Sequence, residues 1–308
     1  MDIRMIATRL IEAGLPWAIV ADDETGAWQR FGPLSRDITP DMYVRLGSVS
    51  KLFVGATAAK LARQGQLSLQ MPLSGVLSCE NLPKELTLGD CLSHMTGLGD
   101  ALECREFRRK LNRDVTADIP VEDVVEVSLS RPRDPERPRY ANINAILAAL
   151  VMSDVCKRPI SQLVEEAVGP GLSLGGPLPA PHPVGWRYGC DLDQIEYGTR
   201  LYPATHFNPS WSWAAGAFHA KLGDLNRLLT AAFKTLTHAP ETGEGFHWLA
   251  KRHDHGFCHS GDVPGFSAWA WGDGSRTVFA VAGLSWVHDL GNPAELLGQT
   301  IRCASVEP

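Results

Sequence analysis

Residues 46–53 read LGSVSKLF and contain the pattern Ser-x-x-Lys, formed by Ser48 and Lys51. An extended segment, residues 43–46, precedes this pattern, and a run of good helix formers, residues 53–64, follows it. If Ser48 opens the helix, Lys51 lies one turn further on, on the same face. The pattern therefore predicts an amine beside a hydroxyl at the start of a helix.

Such a pair suits a nucleophilic serine. A free hydroxyl hardly ionises at neutral pH, but a lysine whose pKa is lowered by burial can accept its proton. The helix N-terminus also favours the negative charge that develops during attack on a carbonyl. By itself the pattern also occurs on solvated helix surfaces, so its interpretation depends on the rest of the chain.

The composition is that of an ordinary soluble globular protein. The 308 residues are 44% hydrophobic and 21% charged, and the net charge is −6. An acidic balance argues against a nucleic-acid partner, and dispersed cysteines predict reduced thiols rather than a disulfide framework. Residues 1–21 carry charges and lack the pattern of a signal peptide, and no apolar run reaches the length of a membrane span. We therefore expect a cytoplasmic protein that binds no nucleic acid and no membrane.

The hydrophobic periodicity predicts strands at both ends of the chain and helices between them. Predicted helices cover residues 3–13, 88–92, 121–130, 143–155 and 293–303, and predicted strands cover residues 16–21, 27–32, 257–260, 267–271 and 277–284. Residues 169–187 are rich in Gly and Pro, which predicts a loop without regular structure. This order indicates an α+β fold with one antiparallel sheet built from both chain ends. We expect a sheet lobe (1–69 and 245–308), an inserted helical lobe (70–244) and a site in the cleft between them.

Tyr140 and Asn142 lie just before the helix predicted from residue 143, where a loop can project side chains into a cleft. A phenol both donates and accepts hydrogen bonds, so Tyr140 can pass protons. The amide of Asn142 can hold either a substrate carbonyl or Lys51. The alternative is a tyrosine packed at a helix start, with Asn142 or Asn144 as the helix cap.

The late segment His259-Ser260-Gly261-Asp262 is the third candidate. Gly261 permits close approach of a ligand to the strand, and the backbone N–H of Asp262 is then available to an oxyanion. His259 offers a polar or cationic group opposite Lys51. The alternative is an edge strand whose histidine faces solvent.

Taken in order, the three motifs resemble the serine β-lactamase and penicillin-binding-protein superfamily. The likeness is greatest to the branch that holds class C β-lactamases, D,D-carboxypeptidases and related esterases and acyltransferases. Residues 93–98, SHMTGL, are similar to the Ser-His-x-Ser-Gly-Leu signature of that branch. The resemblance implies a β-lactamase/transpeptidase-like fold.

The resemblance also implies roles for the candidate residues. Ser48 would be the nucleophile, Lys51 its base and Tyr140 the proton shuttle to the leaving group. The substrate would be bound by Asn142, His259, Gly261 and Asp262, with the backbone N–H groups of Ser48 and Asp262 as the oxyanion hole. The implied function is a serine acyl hydrolase or acyltransferase, without cofactor or metal, acting on a small ester, amide or thioester.

His259 stands where many members have lysine, which weakens the positive charge that a substrate carboxylate would need. This departure favours ester or acyl-transfer substrates, for instance in specialised metabolism, with water, an acyl carrier or a second substrate as acceptor. Two alternatives stay open: a non-catalytic binding or sensor protein, and a true β-lactamase or D-Ala carboxypeptidase.

Two further groups of residues have a functional and a structural interpretation. Residues 253–259 contain His and Cys, but neighbours on a strand face opposite sides, which argues against a shared metal ion. Four tryptophans either line an apolar acyl pocket or pack in the core: Trp186, Trp211, Trp213 and Trp269.

Overall fold

The computed structural model describes residues 2–137, 139–190, 197–242 and 246–304. These residues form twelve strands, and seven of the strands make one antiparallel sheet that joins the two ends of the chain. The strands are β1 (Ala18–Asp22), β2 (Trp28–Phe31), β3 (Tyr43–Arg45), β4 (Leu172–Leu174), β5 (Trp186–Cys190), β6 (Tyr197–Pro203), β7 (Phe218–Lys221), β8 (Phe246–His247), β9 (Ala250–His253), β10 (Gly256–Val263), β11 (Phe266–Gly272) and β12 (Thr277–Ala282). The large sheet has the order β2-β1-β12-β11-β10-β9-β8. The predicted α+β fold with a sheet from both ends is therefore confirmed.

Helices cover the sheet on both faces. They are α1 (Ile3–Glu12), α2 (Ser50–Arg63), α3 (Leu88–Leu92), α4 (Arg105–Arg113), α5 (Val121–Leu129), α6 (Asn142–Cys156), α7 (Ile160–Val168), α8 (Trp213–Gly216), α9 (Leu225–Thr237) and α10 (Pro293–Ala304). Every residue of β11 and β12 is buried, because α1 and α10 pack on one face and α2 and α9 lie on the other. Alternate residues of each strand enter the two resulting apolar cores.

Helix α2 is the centre of the larger core. Most of its residues are buried, and it packs against α6, α7, α8 and α9. A helix surrounded on all sides by protein is held rigidly, so the residues at its N-terminus have fixed positions relative to the sheet.

Residues 169–187 correct one sequence expectation. The segment was predicted to lack regular structure, but Leu172–Leu174 form β4, and β5 begins at Trp186. Strand β4 pairs with β7, which also pairs with β3 to form a second sheet. Glycine and proline set the turns around these residues, but the neighbouring strand supplies hydrogen-bond partners that the local sequence does not reveal.

The division into a sheet lobe and a helical lobe stays a prediction. Residues 70–244 contain most of the helices, but they also contribute β4 to β7. Within the described parts of the chain, no helix combines the length and the apolar character needed to cross a membrane.

Candidate active site

Ser48 lies in a short 3-10 turn, Gly47–Val49, that leads directly into α2. Its side chain is partly exposed, whereas both neighbouring residues are buried. The sequence places Ser48 at the opening of the helix, and the structure adds this tighter turn before the first α-helical residue. Gly47 has a φ of +51°, a left-handed conformation that glycine adopts without a steric penalty. The turn presents the Ser48 hydroxyl at the base of a cleft.

Lys51 is fully buried and reaches back to Ser48, as the spacing predicts. Its Nζ lies 3.0 Å from Ser48 Oγ, 2.8 Å from Asn142 Oδ1 and 2.8 Å from the Ala215 carbonyl oxygen. Burial lowers the pKa of Lys51 to about 7, although the carboxylate of Asp100 acts in the opposite direction. The neutral amine, with two N–H groups, can donate to Asn142 and Ala215 and direct its lone pair at Ser48.

Tyr140 stands on the other side of the serine. Its hydroxyl donates to Ser48 Oγ at 2.8 Å, and its ring centroid lies 4.8 Å from Lys51 Nζ. The residue is 39% exposed, but its hydroxyl lies in a buried environment beside Ser48, and burial raises the pKa of the phenol. The phenol therefore keeps its proton at neutral pH and can give it to a group bound next to Ser48.

Asn142 is the first residue of α6, and the N-cap residue Ala141 makes no side-chain capping bond. The Asn142 side chain instead accepts a hydrogen bond from Lys51, one of the two partners anticipated for it. Its backbone N–H donates to the Asp100 carboxylate at 2.6 Å, which satisfies a free N–H at the helix start. Any role of Asn142 towards substrate stays a prediction.

His94 is a site residue that sequence reasoning missed. It is 2% exposed, and its ring centroid lies 4.7 Å from those of both Tyr140 and Phe246. The Nδ1 atom lies 2.9 Å from Asn144 Nδ2, which fixes the ring behind Tyr140. Burial lowers the pKa of His94 well below its usual range, so the ring is neutral. The SHMTGL segment was the available signal, but nothing in it shows that residue 94 meets residue 140.

His259 lies on β10 and also faces Tyr140, with ring centroids 5.8 Å apart. Its Nδ1 lies 2.6 Å from the Ser260 carbonyl oxygen and therefore carries the hydrogen. Burial, reinforced by the charge of Lys51, lowers the pKa of His259 to about 3. Of the two forms anticipated from sequence, polar or cationic, this low pKa favours the neutral, polar one.

Strand β10 approaches the serine turn at backbone distance. A Cβ at Gly47 would lie 2.6 Å from the backbone nitrogen of Asp262, and one at Gly261 would collide with the Leu46 carbonyl oxygen. Val263 and Phe266 face each other across a two-residue turn, so in an alternating antiparallel ladder the Asp262 N–H points away from β11. The two glycines thus bring the N–H groups of Ser48 and Asp262 to the same edge of the cleft.

Ser48 opens into a cavity of about 360 Å³. The lining includes Tyr140, Phe246, His259 and Trp286. A larger cavity of about 1140 Å³ lies between α5, the end of α6 and residues 76–81, and it does not include Ser48. The cluster of Ser48, Lys51 and Tyr140 is therefore separate from the large cavity.

All four tryptophans pack in or against the two apolar cores, and a role in an acyl pocket stays a prediction. Trp211 and Trp213 pack against the larger core, and Trp211 also lines a second cavity next to the first. Trp269 is buried in the smaller core, and Trp186 packs against it. Across residues 2–137, 139–190, 197–242 and 246–304, no three His, Cys, Asp or Glu side chains are grouped so that they could hold a metal ion.

Comparison with known proteins agrees with this architecture. A family model described as Beta-lactamase matches residues 4–295, whereas no curated protein matches the chain in a sequence comparison. A D-stereospecific amidohydrolase from Streptomyces sp. is 18% identical, with a TM-score of 0.78 over 100% of both chains. A D-amino acid amidase from Ochrobactrum anthropi SV3 is 15% identical, with a TM-score of 0.76 over 98% of each chain. A penicillin binding protein from Bacillus halodurans is 17% identical, with a TM-score of 0.70 over 98% of this chain and 100% of that chain.

Proposed function

Because the chain belongs to the beta-lactamase family, we propose that it is a serine acyl hydrolase that works through an acyl-enzyme on Ser48. The observation that carries this proposal is the position of Ser48 Oγ, 3.0 Å from Lys51 Nζ and 2.8 Å from the Tyr140 hydroxyl. A nucleophile held between a neutral amine and a protonated phenol has both a base and an acid within hydrogen-bond reach.

In the proposed acylation step, the Ser48 O–H proton moves to Lys51 Nζ while Oγ forms a bond to the substrate carbonyl carbon. The N–H groups of Ser48 and Asp262 stabilise the resulting oxyanion. The bond to the leaving group then breaks, and Tyr140 gives that group its proton and is reprotonated from Lys51. Deacylation repeats these steps in reverse, with water or a second nucleophile attacking the acyl-enzyme.

We propose a small amide or ester as the substrate. A neutral His259 offers a substrate carboxylate no positive charge, which disfavours β-lactams and D-Ala-terminated peptides as substrates. Two structures that share this fold are named as an amidohydrolase and an amidase, and this supports including amides. Thioesters belong to the same proposal because only the leaving group differs. Transfer of the acyl group to an acyl carrier or another acceptor belongs to it because only the second nucleophile differs.

A fluorophosphonate probe tests the proposal. Intact-mass spectrometry should find one adduct on the wild-type protein and none on Ser48→Ala, with both proteins showing the same melting temperature. A panel of p-nitrophenyl esters and amino acid amides, run beside nitrocefin, would then rank the substrates. A wild-type protein that forms no adduct and turns over no member of the panel would favour the alternative of a non-catalytic binding protein.

A further inference from the structure

A second cavity of about 330 Å³ adjoins the cavity of Ser48, and the two share Asp262 and Trp286 as lining residues. Its walls come from residues 102–117, which include α4, from residues 187–188 of β5, from residues 207–211, from the end of β10 and the turn after it, and from residues 285–286. The large apolar side chains among them are Leu102, Leu111, Phe207, Trp211, Val263 and Trp286.

Three polar residues of this second cavity are bonded to the protein itself, and most of the cavity's lining is apolar. Arg108 Nη1 donates to the Leu102 carbonyl at 2.6 Å, and the Asp114 carboxylate accepts from the backbone N–H and hydroxyl of Thr116 at 3.0 and 2.7 Å. Asn208 Oδ1 accepts from the Ser210 N–H at 3.0 Å. The surface that remains for a ligand is therefore mainly apolar.

The two cavities meet at Asp262 and Trp286, and Ser48 lines only the first of them. Asp262, whose backbone N–H points to the oxyanion position, stands where they meet. Tyr140, the proposed proton donor to the leaving group, lines the first cavity, and the second is formed by other residues. A substrate held at Ser48 with its leaving group at Tyr140, in the first cavity, would have the second cavity open to its acyl chain beyond Asp262.

We propose that the second cavity binds the acyl group of the substrate, and that this group is apolar and ends in a ring. The inference rests on the proposed acyl-enzyme at Ser48. The volume suits a phenyl or indole group, and Phe207, Trp211 and Trp286 offer aromatic faces and edges to it. Arg187 also lines the cavity, and its guanidinium lies 5.0 Å from the centroid of the Phe207 ring. Trp286 is 39% exposed, as expected of an apolar side chain that a ligand covers.

The test compares p-nitrophenyl acetate with p-nitrophenyl phenylacetate, which share a leaving group and differ only in the acyl group. Because the phenyl ring becomes buried, kcat/KM for the phenylacetate should be at least about 10-fold higher. The acyl group remains in the acyl-enzyme, so the second cavity should also affect the rate of deacylation, measured by acid quench and intact mass.

Two substitutions at one position make a matched pair. Leu111→Trp fills the cavity and should lower kcat/KM for the phenylacetate by a larger factor than for the acetate, which removes the preference. Leu111→Ala enlarges the cavity and should keep the preference. Acetates of p-nitrophenol and 2-naphthol differ only in the leaving group, and Leu111→Trp should affect both equally.

The possible failures can be told apart. If no ester acylates Ser48 in the wild-type protein, the proposed function itself is wrong. If acetate acylates Ser48 but phenylacetate has no advantage, or if Leu111→Trp slows both esters to the same extent, the acyl group does not bind in the second cavity.

Discussion

Ser48 Oγ and Lys51 Nζ lie 3.0 Å apart, and the lysine is fully buried. Burial is what makes this proximity useful, because an exposed lysine would be protonated at neutral pH and could accept nothing. With its pKa lowered to about 7, a large fraction of Lys51 is the neutral amine under ordinary conditions.

The first prediction is a pH dependence set by this amine. The base form is the deprotonated one, so kcat/KM should fall about tenfold per pH unit below pH 7 and level off above it. The alkaline side should stay flat, because the raised pKa of Tyr140 keeps the phenol protonated. A pH profile with a neutral ester checks this. Activity that appears only above about pH 9 would instead indicate an unperturbed lysine or a tyrosinate as the base.

Replacement of Lys51 by alanine should lower turnover by about 100-fold or more, because the proton acceptor of Ser48 is removed. The same change leaves Asn142 Oδ1 and the Ala215 carbonyl without their donor, so circular dichroism and thermal unfolding must accompany the kinetics. A folded Lys51→Ala protein with near-normal rates would show that Lys51 is not the base that activates Ser48.

Tyr140→Phe keeps the ring contacts with His94 and Phe246 but loses the hydroxyl that bonds Ser48. Turnover of an amide should fall by about 100-fold or more, since an amine leaves only when protonated. A p-nitrophenyl ester has a good leaving group and should be affected less. Equal losses for both substrates would mean that the phenol does not protonate the leaving group.

His259 also faces the cleft, and its lack of charge leads to a prediction about substrate specificity. His259→Lys introduces a cation that a carboxylate can bind, so acylation by benzylpenicillin should rise at least about tenfold relative to acylation by a neutral ester. His259→Gln is the control, because it stays neutral and should give no gain. An equal rise in both variants would show that the charge at position 259 is not what excludes carboxylates.

The close approach of the serine turn to β10 can be tested with two glycines. Gly47 and Gly65 both have positive φ, +51° and +71°, but a Cβ at Gly65 would meet nothing within 4 Å. Gly65→Ala should cost about 1 kcal/mol of unfolding free energy from the backbone conformation alone and leave activity intact. Gly47→Ala should destabilise the fold further and abolish most activity, because its Cβ displaces the Asp262 N–H. Equal effects of the two substitutions would argue against this oxyanion position.

Local patterns in the sequence predicted much of the fold and of the candidate site. The spacing of Ser48 and Lys51 predicted their contact, because residues three apart on a helix share a face. The strands that became β11 and β12 were found from their β-type composition and the turn between them. Tyr140 and His259 were predicted as site residues from the family resemblance as well as from their chemistry.

The remaining features depend on contacts between distant segments. His94 meets Tyr140 only because the chain after α3 packs against the start of α6. The neutral state of His259 follows from burial, which a histidine in a sequence does not disclose. Strand β4 exists because β7 lies beside it. The second cavity, likewise, has walls from five separate parts of the chain.

The most direct test of the central claim is to trap the acyl-enzyme. Wild-type protein would be mixed with a slowly turned-over ester, quenched in acid within the first turnover, digested and mapped by mass spectrometry. We expect one acyl group, on the peptide that contains Ser48, formed and lost at rates that account for steady-state turnover. Product release at the normal rate without that adduct, or with the acyl group on another residue, would contradict the assignment of Ser48 as the nucleophile.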